Sequence, residues 1–211
     1  MPSQEEKSRK HKHDRYWTDN AERYDSSISF VDRKFLASSR AWVAERASGK
    51  TLEIALGTGL NLQYYPQITS LTGLEQNRPM LQMALQKAAL QGRTLQISQG
   101  DAMQLPFADE SFDTVLCTFA LCGISDEKQA LREMHRVLKP GGRLLLADHV
   151  VSTWPPLAGL QWLLERYSLP AHGEHFRRRP LPIVKAMPFE IIETQRLSFG
   201  IIERVHARKL A

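Results

Sequence analysis

The sequence has little cysteine: two residues, Cys117 and Cys122, lie close together in an apolar stretch. That excludes a disulfide framework and points to a reducing, cytoplasmic setting. No apolar run approaches the ~20 residues a membrane span needs. The charged beginning of the chain lacks the apolar core of a secretory leader. Internal repeats and low-complexity linkers are missing as well. What is present is ordinary for a globular domain: 211 residues, 42% hydrophobic and 24% charged. One domain over 16–211, preceded by a disordered basic tail over 1–15, is the expectation.

The formal net charge is +5. Much of it is local, since Lys7, Arg9, Lys10, Lys12 and Arg15 crowd the tail. A solvated tail is the plain reading. An arm for anionic membrane is the sharper one. A nucleic-acid reader pairs basic residues with stacking aromatics, and only Tyr16 and Trp17 stand nearby, so nucleic acid is not expected. No metal is expected either. His172, Glu174 and His175 in "AHGEHFRRRP" lack the helical spacing of a zinc-hydrolase motif.

Periodicity predicts a helix from Tyr16 to about Ser48. Strands and helices then alternate. Strands are expected at 51–56, 71–75, 94–98, 113–121 and 143–150. Between them come a short helix at 60–65, a helix at 77–91 capped by Asn77, and a helix at 125–138 capped by Ser125. The rhythm means βαβ units and a doubly wound, mostly parallel sheet with its strands covered on both faces. "FEIIETQRLS" and "FGIIERVHAR", joined around Ser198–Gly200, predict an antiparallel pair closing it into seven strands. Residues 152–187 break the rhythm and read as a helix plus a segment over the site, a lid or acceptor region.

In such a sheet, ligands bind beyond the carboxyl ends of the strands where strand order reverses. "LEIALGTGLN" (52–61) places Gly57, Thr58 and Gly59 there. Glu75, at the end of the second strand, suits the two hydroxyls of a ribose. Asp101 suits an adenine amino group, with Ala102 and Met103 giving backbone and apolar contact. Glycine turn, ribose carboxylate and base carboxylate follow one another on successive strands and describe an adenosine pocket. A dinucleotide is the runner-up, but its fingerprint wants a third glycine where Leu62 stands.

These residues, with "GLEQN", "GDAMQLPFADESFDTVLCTFALC" and "LREMHRVLKPGGRLLLADHV", resemble class I S-adenosylmethionine-dependent methyltransferases. The likeness is closest to the group of quinone-biosynthesis, small thiol and phospholipid methyltransferases and covers roughly 16–205. It implies a Rossmann-like fold, S-adenosyl-L-methionine as cofactor and methyl transfer as the reaction. The family's first motif has glycine where Ala55 stands. A strand-like backbone at 55 would leave room for the methyl group. The resemblance also implies cofactor contacts from Glu53, Asn61, Gln76, Thr118 and Phe119, with Tyr16 and Tyr24 as a cover from the N-terminal helix.

The acceptor side is less legible. His149 is the candidate general base or acceptor contact, with Cys122, Trp154 and His175 as further acceptor contacts. Trp154, Trp162 and Tyr167 form either an acceptor wall or helix core. The expected activity is methylation of a small, rather apolar thiol, hydroxyl or amine. A phospholipid or quinone-pathway acceptor is the alternative, and a cofactor-binding or nucleic-acid-binding module without turnover is the rival of another class.

Overall fold

The computed structural model describes residues 18–211 apart from 22, 28, 31, 68, 69, 173 and 174, with the backbone alone at 170–172. Tyr16 and the basic tail lie outside the described residues. The strands are β1 (Lys50–Ile54), β2 (Ser70–Glu75), β3 (Leu95–Gln99), β4 (Phe112–Thr118), β5 (Leu138–His149), β6 (Phe189–Leu197) and β7 (Ile202–Lys209). The helices are α1 (Ala37–Ala44), α2 (Arg78–Leu90), α3 (Glu127–Val137), α4 (Pro155–His172) and α5 (Pro180–Lys185).

The strands form one sheet in the order β3-β2-β1-β4-β5-β7-β6. The first five pair in parallel. β7 inserts antiparallel between β5 and β6. The doubly wound sheet and the antiparallel closing pair are as expected. Strand order reverses between β1 and β4, so their carboxyl ends open a crevice.

Alternation along the central strands feeds two cores. Leu52, Ile54, Val115, Cys117, Leu144 and Leu146 pack with α3 and α5 residues such as Leu131, Met134 and Val184. Leu116, Leu145 and Ala147 point the other way, onto Trp42 and Val43 of α1. Each fully buried leucine contributes roughly 2 kcal/mol through removal from water.

Several boundaries differ from the sequence expectation. The long N-terminal helix is interrupted by a π-helical turn at Asp32–Leu36, and α1 stops at Ala44. The helix at 60–65 shrinks to one 3-10 turn, Leu62–Tyr64. β4 ends at Thr118, and Leu121–Gly123 forms another 3-10 turn. The cap of α3 is Asp126, whose carboxylate accepts the Gln129 N–H at 2.9 Å. Ser125 instead sets its hydroxyl against the Met103 sulfur at 3.2 Å. β5 begins at Leu138, because the KPGG turn is absorbed into the strand. β3, at the sheet edge, is largely exposed rather than covered on both faces. Asn77 does cap α2, accepting the Met80 N–H at 3.1 Å.

Candidate active site

β1 stops one residue before Ala55, and Ala55 takes φ +52°. Position 55 is therefore not strand-like. An alanine there sits in the left-handed region that glycine occupies freely. Gly57 (φ +58°) and Gly59 (φ +80°) continue the turn. At Gly59 a Cβ would lie 2.6 Å from the Leu62 Cδ1 and 3.2 Å from the Ala84 Cα, so the close approach of α2 also demands glycine.

The loop is tied to β2 by Glu75. Its carboxylate accepts the Gly57 N–H at 3.0 Å and the Asn77 N–H at 2.8 Å. Gln76 beside it is exposed. Asp101 lies in the turn after β3 and accepts the Met103 N–H at 2.9 Å. Ala55, Ala102, Met103, Ala120 and Ile124 are half-buried and pack against one core cluster. The three-part series read from sequence thus converges on the carboxyl edge of the sheet.

Behind the loop runs a buried polar chain. Glu53, only 2% exposed, accepts from the Asn61 amide at 2.7 Å and the Tyr65 hydroxyl at 2.6 Å. Asn61 also donates to the Thr118 hydroxyl oxygen at 2.8 Å. Arg40 of α1 donates to Asn61 at 3.3 Å and Thr118 at 3.2 Å, and its Nε bonds Asp32 at 2.6 Å. Burial pushes the Glu53 carboxyl up to about 7, against its hydrogen bonds and the nearby Arg40 charge.

The N-terminal helical segment closes over the loop. Asp25 accepts the Thr58 hydroxyl at 2.6 Å and pairs with Lys87 of α2. Tyr24 is the neighbouring residue and is half-buried. Arg40, Asp25 and Lys87 were not singled out from sequence, because charged residues on amphipathic helices read as solvent-facing. Asn61's partners are equally invisible without the fold.

On the acceptor side, Phe119 follows β4 with φ +52°. Its ring centroid stands 4.9 Å from that of the His149 ring and 5.0 Å from the Arg40 guanidinium. Burial pulls the His149 imidazole down to about 4, so it is neutral at pH 7. Asp148 points the other way and is buried. Its Oδ1 accepts the His149 N–H at 2.7 Å, and its Oδ2 has no hydrogen-bond partner among the described residues. Burial raises its carboxyl to about 7, although the Cys122 thiol and the Leu121 and Cys122 amides beside it oppose the shift.

Cys122 and His175 meet: the His175 N–H donates to the Cys122 carbonyl at 3.0 Å. This brings the 152–187 segment to the end of β4. Trp154 is not core; it is 54% exposed and packs against Phe199 with ring centroids 5.9 Å apart. Trp162 and Tyr167 are exposed too, so the helix-core reading of this stripe is overturned.

A family model described as a methyltransferase domain matches residues 52–146. A phosphatidylethanolamine N-methyltransferase of Cereibacter sphaeroides is 32% identical over 146 residues, 68% of this chain and 71% of that protein. The chain belongs to the S-adenosylmethionine-dependent methyltransferase family. A demethylmenaquinone methyltransferase of Deinococcus radiodurans is 35% identical over 133 residues, 62% of this chain. The chain spans about half, 54%, of that relative's length. Among solved structures, an S-adenosylmethionine-dependent methyltransferase from Mesorhizobium loti matches with a TM-score of 0.63 at 18% identity, covering 82% of this chain and 97% of that one. That likeness speaks to the fold alone.

The residues present fit the family's cofactor. The carboxylates of Glu75 and Asp101 stand at the carboxyl ends of β2 and β3, and the half-buried Ala102 and Met103 follow Asp101. A cationic sulfonium ligand answers that electrostatic pattern. A pyrophosphate would meet it with repulsion.

Proposed function

We propose that the chain transfers the methyl group of S-adenosyl-L-methionine to a small, rather apolar acceptor bearing a thiol, hydroxyl or amine. The observation that carries the cofactor half is the convergence of the Gly57–Gly59 turn, Glu75 and Asp101 at the switch point of the sheet. In this reading Glu75 takes the ribose hydroxyls and Asp101 the adenine amino group, between Ala102 and Met103. Gln76 borders the ribose. Gly57, Thr58 and Gly59 back the cofactor, and Tyr24 covers it. Glu53, sealed behind Asn61, acts by fixing Asn61 and Thr118 rather than by direct contact. Bound cofactor supplies an electrophilic methyl on a positively charged sulfur.

The chain's own part is to align the acceptor and exclude water. Phe119 and His149 form an apolar aromatic wall, held in place by Arg40. Cys122, Trp154 and His175 extend the acceptor side. A neutral His149 near pKa 4 is a weak base. Taking a proton from a thiol of ordinary pKa would run uphill by about 6 kcal/mol. His149 therefore serves as a hydrogen-bond acceptor and wall, and the reaction suits an acceptor that sheds its proton readily.

A lipid-type acceptor, phospholipid or quinone-pathway, is the second reading. The named relatives act on such molecules, and a basic tail reaching anionic membrane would go with it. The test is release of S-adenosylhomocysteine with a panel of alkyl thiols, phenols, amines, quinols and phosphatidylethanolamine. Turnover with a small apolar member supports the first reading. Turnover confined to quinol or phosphatidylethanolamine transfers the assignment to the second. Cofactor binding with no turnover on any member favours a module without catalysis.

A further inference from the structure

Helix α4 is built inside out. Its buried stripe is polar: Gln161, Glu165 and Ser168, at i, i+4 and i+7, face the protein. Gln161 accepts the Ser152 N–H at 2.7 Å and donates to the Val150 carbonyl at 2.9 Å. Glu165 accepts from Arg177 at 2.8 Å. The opposite face carries Leu160, Leu163 and Tyr167, with Trp162 and Leu164 on its flanks, and all five are exposed. Tyr167 is 76% exposed and Leu163 58%. A helix on a water-facing surface has the reverse pattern.

A second exposed apolar pair stands where the helix begins. Phe199, at the β6–β7 turn, is 73% exposed and lies against Trp154. Ser198 and Phe199 both hold positive φ, 52° and 56°. This turn therefore keeps two non-glycine residues in the left-handed region, and its aromatic faces out.

Charge selects the partner. Glu165 is the only carboxylate between 151 and 172, and it is buried and paired. The exposed charge on the helix is Arg166. A two-fold contact with a second copy would leave Arg166 facing that apolar surface with no carboxylate to answer it. An anionic bilayer answers both features, because Trp and Tyr favour its interface and arginine its headgroups. The helix spans about 27 Å at 1.5 Å per residue, and no described helix is long and apolar enough to cross a membrane.

We propose that α4, with Trp154 and Phe199, is a docking surface for an anionic lipid bilayer, the helix lying in the interfacial plane. This goes beyond the acceptor reading and holds for a soluble thiol as well as a lipid. It places the carboxyl edge of the sheet, where the acceptor enters, next to the membrane.

The test is co-sedimentation of the full chain with vesicles of equal parts phosphatidylcholine and phosphatidylglycerol, and with phosphatidylcholine alone. Wild type is expected to bind the mixed vesicles, more weakly at high salt. Leu160→Glu/Leu163→Glu is expected to lose at least tenfold in partitioning, with its unfolding midpoint and S-adenosylmethionine affinity retained. Arg166→Glu should lose mainly the preference for anionic vesicles. Equal binding by wild type and the double variant would overturn the proposal and place membrane contact elsewhere, for instance in the basic tail. So would wild type that ignores vesicles, including one that sediments as a dimer dispersed by the same double substitution. Cofactor affinity is read separately, so failure here is distinct from failure of the methyltransferase reading.

Discussion

Ala55→Gly is the substitution that most directly probes the cofactor loop. Ala55 holds φ +52° between the end of β1 and Gly57. A left-handed backbone costs an L-residue about 1–2 kcal/mol relative to glycine. Replacing it by glycine also frees the unfolded chain, which costs roughly 0.4–1 kcal/mol. The Ala55 methyl is only half-buried, so little packing is lost. The balance favours the variant by about 0.5–1 kcal/mol. In a chain of this size that is a rise of roughly 1–4 °C in unfolding midpoint. Thermal and urea unfolding measure it, and the denaturant slope should stay the same. Ala55→Val tests the other direction: a β-branched side chain at positive φ should destabilise by more than alanine does. A lower midpoint for Ala55→Gly would refute the reasoning and mean that the methyl's packing outweighs its strain.

Buried ionisation makes stability pH-dependent. The folded-state pKa values of Glu53 and Asp148, each raised to about 7, mean these groups favour folding below the unfolded carboxyl range and lose that contribution as pH rises through 7. His149, lowered to about 4, has the opposite sign: its contribution is present above the unfolded value and lost as pH falls toward 4. Each of these two carboxyls therefore contributes a fall in stability as pH rises from about 5 to 6.5, at roughly 1.4 kcal/mol per pH unit, while the lowered imidazoles of His149, His135, His175 and His206 act in the opposite sense. Glu53→Gln should flatten that slope in urea titrations across the range, and an unchanged slope would contradict it. Arg40→Met strips the donor from Asn61 and Thr118 and leaves Asp32 unpaired, with an expected loss of about 3 kcal/mol in unfolding free energy. A loss under about 1 kcal/mol would place the network at the level of surface pairs. Asp25→Ala releases the contact with Thr58 and Lys87 and should speed cofactor dissociation several-fold, as about 1 kcal/mol allows. An unchanged dissociation rate in stopped-flow fluorescence would mean the N-terminal segment does not restrain the site.

The sheet was legible because its signals are local. Apolar runs such as "RLLLADHV" and glycine breaks recur at βαβ spacing, and the central strands are buried as that pattern requires. The loop, Glu75 and Asp101 were legible because each sits at a strand end, where topology fixes its place. What escaped is tertiary. Arg40 and Asp25 sit on helices whose periodicity gives charged residues no reason to face inward. Ala55's φ is hidden because alanine's identity argues for negative φ. Ser125 and Asp126 are both good caps, and only the Met103 sulfur shows which was diverted. In α4, Trp162 and Tyr167 read as acceptor wall or helix core, while polar anchors at Gln161 and Glu165 turned them outward. The π-helical turn at Asp32–Leu36 has no counterpart in the sequence reading, which took this stretch as continuous helix.

The most direct measurement is calorimetric titration of wild type and Glu75→Ala with S-adenosylmethionine and S-adenosylhomocysteine. The account predicts micromolar binding by wild type and at least tenfold weaker binding by the variant, a loss of about 1.4 kcal/mol. Wild type that binds neither ligand would contradict the central claim and turn attention to Ala55 as the residue that closed the site.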